Sequence, residues 1–339
     1  MKKVVTLGEI MLRLTPPNHQ KIEQAQSFSS IYGGGEANVA ISLSQLGLQS
    51  SFVSKLPNNA LGKSAEQYLQ RYGVLTNEMR YGGDRLGIYF LEQGFSIRPS
   101  SILYDRQFSS FAMSKINEYD WDAIFEEADW FHISGITPAL NEEIFLLTKT
   151  ALIAAKKQGL MTSLDLNYRS SLWTFETSRV KMTELLPYVD VCIGIEPLQL
   201  LDDDGEDIKD KLSYPRTIAD YKKIITLLHE RYHLKYIAMT FREALAVNRH
   251  RLKVMLSNGE SFYESEEVEV EVVDRVGTGD AFSAGIIYGL MKQMQNESVI
   301  DFALGCFALK HTIEGDANIL NKAEIDQYIE NKHALSIKR

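Results

Sequence analysis

The sequence predicts an α/β fold: a doubly wound, mainly parallel sheet with helices on both faces, and a small second β-sheet beside it. Three observations carry that prediction. Short β-rich runs alternate with helical periods through most of the chain, the pattern of a parallel sheet covered by helices. Two stretches, 11–32 and 79–114, have no helical period and are rich in aromatic and β-branched residues bounded by Gly, Pro and Asn, as strands of a second sheet would be. Late in the chain, "DRVGTGDAFSAG" (274–285) sets a glycine turn directly before an apolar helical run, where backbone N–H groups can meet an anion.

The elements follow in order. "KVVTLGEI" (3–10) is a buried strand, and "GGEANVAISLSQLG" (34–47) carries Val39, Ala40, Leu43 and Leu46 at helical spacing with Gly47 to stop it. "SSFVSKL" (50–56) is the next strand and "LGKSAEQYLQRYG" (61–73) the next helix. Further on come a strand at 129–136, a helix at 140–158, strands at 161–167 and 189–195, a helix at 217–232 and a strand at 235–240. In "VMLSNGESFY" (254–263), Asn258 and Gly259 suit a type I′ hairpin. Strict alternation in "ESEEVEVEVV" (264–273) reads as an edge strand with one wet face. The chain is thus expected to form one domain, 1–339, into which the segments 11–32 and 79–114 are inserted as a lid.

Composition narrows the function. Apolar residues make up 45% and charged residues 24%, an ordinary soluble globular balance. The net charge of −9 argues against nucleic acid or an anionic membrane as partner. Cys192 and Cys306 both sit in apolar runs, so core thiols are expected rather than a disulfide or a zinc site. The start "MKKVVTLGEIMLRL" is interrupted by Glu9 and Arg13 and has no small-residue cleavage site, and no apolar stretch reaches 18 residues. A cytoplasmic protein is expected.

The glycine turn carries the chemistry. Gly277, Thr278 and Gly279 free the backbone N–H groups to point at an anion, and the dipole of the following helix adds positive charge. Asp280 in the first turn would repel a phosphate, unless it serves as the base that takes the proton of an attacking hydroxyl. The alternative is that Asp280 only caps the helix, and the stretch alone leaves both open. A dinucleotide fingerprint does not fit, because Phe282 takes the third glycine's place and the turn lies near the C-terminus. Nor does a phosphate-binding P-loop: "PNNALGKS" supplies Gly62, Lys63 and Ser64 but has Pro57 where the first glycine belongs, so it reads as a helix entry.

Taken together, "GGGEANVA" (33–40), "LGKSAEQYLQRYGV" (61–74) and "DRVGTGDAFSAG" resemble the ribokinase, or PfkB, family of carbohydrate kinases over nearly the whole chain. The resemblance implies a ribokinase-like α/β domain that binds ATP with Mg²⁺, a β-sheet lid over the sugar, and Asp280 as base. It also implies a homo-oligomer that pairs through the lid. Within the family, "GIYFLEQG", "ILYDR", "DLNYR" and "LKHTIEGDAN" are similar to the 2-keto-3-deoxygluconate kinases. That substrate is a sugar acid, which calls for a guanidinium to grip the carboxylate and for tyrosine hydroxyls to orient it.

By resemblance, Gly33, Gly34 and Asn38 face the sugar hydroxyls, Tyr89, Tyr104 and Arg106 reach the sugar from the lid, and Arg169 meets its acid end. Some have a plainer alternative: sheet packing for the tyrosines, a surface pair with Asp105 for Arg106, turn chemistry for Asn167. Nucleotide contacts fall to Asn167, Thr240, Arg242, Gly277 and Gly279. Asp274 matches a position that supports a monovalent cation such as K⁺ in some relatives, or else forms an Asx-turn.

Two departures stand out. "CIGIEPLQL" has Ile195 and Leu198 where many members read N-x-x-E, leaving Glu196 as the nearby acid, and "TFREAL" has Arg242 and Leu245 where many read T-x-G-x-x-G. The basic run "NRHRLK" (248–253) is either near the nucleotide or a solvated loop. The leading expectation is a kinase for the 6-hydroxyl of 2-keto-3-deoxygluconate. Its rivals are a kinase for fructose or ribose and a non-catalytic sugar-binding regulator on the same fold. The epimer, gluconate-derived or galactonate-derived, stays open.

Overall fold

The computed structural model describes residues 2–331. In chain order it begins β1 (Lys3–Leu7), β2 (Met11–Thr15), β3 (Ser29–Gly33), α1 (Gly35–Gln45), β4 (Gln49–Val53) and β5 (Lys55–Leu56). Next come α2 (Ala60–Arg71), β6 (Arg80–Tyr81), β7 (Ile88–Glu92), β8 (Ser101–Asp105), α3 (Trp121–Ile124) and β9 (Trp130–Ser134). The middle holds α4 (Glu142–Lys157), β10 (Met161–Asp165), α5 (Phe175–Leu185), β11 (Val191–Ile193) and α6 (Ile218–Tyr232). The last part is β12 (Tyr236–Ala246), β13 (Arg249–Ser257), β14 (Phe262–Glu264), β15 (Val268–Glu271), α7 (Thr278–Met291), α8 (Asn296–Lys310) and α9 (Lys322–Glu330).

These elements form two compact units. The first takes residues up to 113, 240–254 and 265 onward; the second takes 114–239 and 255–264. In the second, β9, β10, β11 and the start of β12 run parallel, with Ile133 beside Leu164, Leu164 beside Cys192 and Cys192 beside Ile237. Every residue of β9 and β11 is buried, as a strand covered on both faces requires. In the first unit, β1 and β4 are parallel, with Val4 beside Ser50. The large sheet is therefore mainly parallel, as expected.

The small sheet of the first unit has the order β3-β2-β7-β8. It is made from the two segments that lack helical periodicity. Strand β2 pairs antiparallel with β3 and parallel with β7, and β7 pairs antiparallel with β8, bringing Tyr89 opposite Tyr104. Along β2 burial alternates, so Met11, Arg13 and Thr15 point inward.

Local chemistry sets the helix starts. At α2, Asn59 Oδ1 accepts the N–H groups of Leu61 and Gly62 at 3.0 and 3.1 Å, and a side chain at Gly62 would strike the Pro57 carbonyl. "PNNALGKS" is thus a helix entry. Helix α7 starts from Gly277, whose φ of +76° suits glycine. It then packs on α8, where a Cβ at Gly285 would lie 2.7 Å from Ala303 Cα.

Some expectations are corrected. Strands expected at 3–10, 129–136 and 161–167 end at Leu7, Ser134 and Asp165, because the chain leaves the sheet there to build loops. Ser257 pairs with Phe262, so the hairpin loop has four residues and is not a type I′ turn. Asn258 Oδ1 accepts the N–H groups of Glu260 and Ser261 and shapes that loop with its side chain. The basic run 248–253 enters β13 and is no loop; exposed Arg249 and half-buried Arg251 both pair with Glu269 of β15. Cys192 and Cys306 are buried, and burial pushes both thiols up. Among the described residues no helix is long and apolar enough to cross a membrane.

Candidate active site

The glycine turn and what packs against it lie within the first unit. Asp280 is the third residue of α7, and the N-cap, Gly277, makes no side-chain cap. Asp280 is therefore one turn past the position where an aspartate caps best. Its Oδ2 instead accepts a hydrogen bond from Asn38 Nδ2 of α1 at 2.7 Å. Asn38 Oδ1 in turn faces the N–H of Gly34 at 3.4 Å, which fixes the amide with its donor end toward the carboxylate. Asp280 is 8% exposed, so it is held but not sealed. Thr278 is tied down as well, its hydroxyl and its N–H both directed at the Arg275 carbonyl, at 3.0 and 3.5 Å. Gly279 is exposed, and a Cβ there would meet nothing within 4 Å.

Beneath this turn lies a buried charge cluster, of which the sequence points to Asp274 and Tyr89 but not to Arg13, Lys310 or Asp316. Arg13 Nη1 is 2.7 Å from both Asp274 Oδ2 and Asp316 Oδ1. The Tyr89 hydroxyl donates to the other Asp316 oxygen. Lys310, fully buried, donates to the Ile313 carbonyl at 3.0 Å. Burial pushes the Asp316 carboxyl up while Arg13 and the Tyr89 hydrogen bond pull it back. Burial likewise lowers Lys310, opposed by Asp274 and Asp316. Burial acts against the charge of Arg13 too, but the two carboxylates outweigh it and hold the guanidinium protonated.

Several residues expected at the sugar are engaged elsewhere. Asn38 is 2% exposed and serves Asp280. Side chains at Gly33 and Gly34 would collide with the Asp316 carboxylate and the Glu9 carbonyl, so these glycines permit close packing of buried backbone. Tyr89 is 3% exposed and faces Asp316; burial and that carboxylate raise its pKa. Tyr104 remains accessible, with its ring 5.8 Å from that of Tyr89. Arg106 does not pair with Asp105, which goes to Arg85; it donates from Nε to Glu9 Oε2 at 2.8 Å and makes a second bond through Nη2. Glu9 is 4% exposed and its Oε1 has no hydrogen-bond partner.

Asp274 makes the Asx-type bond, Oδ1 accepting from Val276 N–H at 3.0 Å. Its other oxygen faces Arg13, so a guanidinium stands where the resemblance suggested a monovalent cation. Thr240 and Arg242 are exposed on β12. Partial desolvation and the like charge of Arg275 lower the Arg242 pKa. The same two arginines, after burial, lower His250. Two cations so placed suit an anion.

Asn167 and Arg169 belong to the second unit, just past β10. Asn167 has φ +31° and its N–H reaches Asp165 Oδ1 at 3.2 Å, which is turn chemistry; Arg169 is exposed. Glu196 is committed to Lys209 at 3.3 Å and Arg216 at 3.0 Å. Among the described residues no group of three His, Cys, Asp or Glu side chains could hold a metal ion.

The geometry describes a helix start that offers N–H groups to an anion, with a carboxylate held beside them, the layout of a phosphoryl-transfer site. The family match agrees: the model for the pfkB family of carbohydrate kinases matches residues 1–323, and the chain belongs to that family. It is a carbohydrate kinase, and it resembles kinases of 2-keto-3-deoxy sugar acids. A 2-dehydro-3-deoxygalactonokinase of Haloferax volcanii is 33% identical over 328 residues, 96% of each chain. A 2-dehydro-3-deoxygluconokinase of Bacillus subtilis is 28% identical, covering 94% of this chain and 93% of its own. The crystal structure of a 2-dehydro-3-deoxygluconokinase from Thermotoga maritima superposes with a TM-score of 0.90 at 41% identity, covering 97% of this chain and all of that one. A fructokinase from Xylella fastidiosa with bound ATP shares the fold, with a TM-score of 0.76 at 22% identity over 98% of this chain and 99% of that one.

Proposed function

We propose that the chain transfers the γ-phosphoryl group of ATP to the 6-hydroxyl of 2-keto-3-deoxygluconate, giving 2-keto-3-deoxy-6-phosphogluconate and ADP. The observation that carries this reading is the Asp280 carboxylate, fixed by Asn38 in the first turn of α7. Asp280 takes the proton as the hydroxyl oxygen bonds to the γ-phosphorus, and the bond from that phosphorus to the ADP oxygen breaks. Amide N–H groups at the start of α7 stabilise the charge on the transferring oxygens, with Gly279 leaving the approach open. Mg²⁺ would come in on the ATP phosphates, held by them and by water, and supply charge neutralisation there. Arg242 and Arg275, two neighbouring cations, favour the phosphate chain on their side of the turn.

The sugar-acid reading draws on the relatives named as kinases of such acids and on Tyr104 and Arg106 of the first unit. Arg106 is held in place by the Glu9 carboxylate through Nε and Nη2. The galactonate-derived epimer is the second reading, favoured by the 33% identical Haloferax relative. Both would be tested by ADP release with Mg·ATP against the two keto-acids, fructose and ribose. Asp280→Asn should lower kcat by a factor of about 100 or more while sugar binding, measured calorimetrically, persists. Turnover near that of the unaltered protein would remove Asp280 as base. Turnover of fructose or ribose alone would remove the acid reading.

A further inference from the structure

Arg13 belongs to strand β2 of the small sheet, yet its side chain ends beneath the glycine turn. Its Nε donates to Thr15 Oγ1 at 3.0 Å, which orients the guanidinium from its own strand. Nη1 then spans two loops, touching Asp274 at the start of the turn and Asp316 in the loop after α8, both at 2.7 Å. Asp274 Oδ2 also accepts the Gly315 N–H at 3.2 Å, and the Asp316 carbonyl lies so close under Gly277 that no Cβ would fit between them. The floor of the turn is thus the 315–316 segment. From β7, Tyr89 reaches the same Asp316, and Val276 of the turn packs on Met11, Tyr89 and Leu91.

Asp274 and Asp316 are 4% and 2% exposed. Two buried carboxylates this close repel, and a cation between them offsets that repulsion. Lys310 contributes charge, but its ammonium donates to a backbone carbonyl, whereas Arg13 makes both direct pairs. A planar guanidinium can bridge two acids at fixed geometry; an ammonium is a point charge.

We propose that Arg13 is a positioning residue for phosphoryl transfer: through Asp274 and Asp316 it sets where the Gly277–Asp280 turn stands and latches that turn to the small sheet. It touches no reacting atom. This rests on the reading of Asp280 as base.

The test uses the full chain with Arg13→Gln, Arg13→Lys and Arg13→Ala, each assayed for ADP release on whichever keto-acid the unaltered protein turns over. In Arg13→Gln, kcat should fall about 100-fold with both KM values nearly unchanged, the size of loss a misplaced catalytic group gives. Arg13→Lys should retain about a tenth of kcat, because charge is kept and the fork is lost. Added guanidinium chloride at millimolar levels should raise kcat in Arg13→Ala and leave Asp280→Asn unmoved. Amide exchange at 274–280 should quicken in Arg13→Gln whether or not any sugar is turned over, which separates the latch from the identity of the substrate. Unchanged exchange there, or unaltered kcat in Arg13→Gln, overturns the proposal; so does a loss that neither lysine nor guanidinium repairs. Should Arg13→Gln fail to fold, Arg13→Lys decides alone, and a kcat equal to that of the unaltered protein overturns it.

Discussion

Burial lowers the pKa of four histidines. Burial lowers His132 to about 3, and burial with the nearby His250 and Arg242 lowers His311 to about 4; His250 and His229 are lowered as well. In the unfolded chain each would titrate near 6.5. Between that value and the folded one the unfolded state binds more protons, so stability is present above pH 6.5 and is lost as pH falls toward 4. For His132 and His311 the slope is about 1.4 kcal/mol per pH unit each within the window. The denaturation midpoint should therefore drop between pH 7 and 5, and His132→Gln should show a shallower drop over the same range. An unchanged slope would mean that His132 is not held neutral. At this scale the sequence was only half legible. Asp280 stood out because a carboxylate at a phosphate-binding helix start has to be explained, whereas Arg13 read as a break in an apolar run. An available signal was its phase: in "MLRLT" it shares the inward face with Met11 and Thr15, and an inward arginine demands a buried acid.

At the scale of elements, the start of α7 depends on Gly277. Gly277 holds φ +76°, and a side chain there would run into the Asp316 carbonyl. Gly277→Ala should cost about 1–3 kcal/mol of stability from backbone strain, with a further loss of kcat as the turn moves away from the 315–316 segment. Chemical denaturation and ADP release measured on the same preparation check it; unchanged values in both would mean the turn tolerates displacement. Elements with a clear period were readable: α1, α2, α4 and α6 lie within two residues of their expected ends. Helix α8 was missed because Val299 to Ala308 is buried almost without interruption, leaving no polar face and hence no period. Helix α5 was missed for the opposite reason, since its buried stripe is only Ser178, Met182 and Leu185 amid threonines and charges.

For the whole molecule, alternation of strands and helices predicted the large parallel sheet, and the aromatic, aperiodic segments predicted the small one. What alternation cannot carry is the way distant loops meet, since Asp274 and Asp316 join Arg13 only after folding. The small sheet also leaves β8 exposed along its full length, with Ile102, Leu103 and Tyr104 accessible. A wet outer strand bearing such residues invites pairing with a second copy. Light scattering should give twice the 38.4 kDa of one chain, and Leu103→Glu should return the monomer mass. A single-chain mass in the unaltered protein would exclude that pairing.

The cluster under the turn holds two cations and two anions, Arg13 and Lys310 with Asp274 and Asp316, and its balance has a consequence for how substitutions combine. Removing Arg13 alone strands two carboxylates, and removing Asp316 alone strands part of a guanidinium and the Tyr89 hydroxyl. Removing Arg13 and Asp316 together leaves Asp274 and Lys310, which still act on one another electrostatically, one charge against one. The paired change should therefore be milder than the sum of the single ones, so this part of the chain behaves thermodynamically as one four-membered unit.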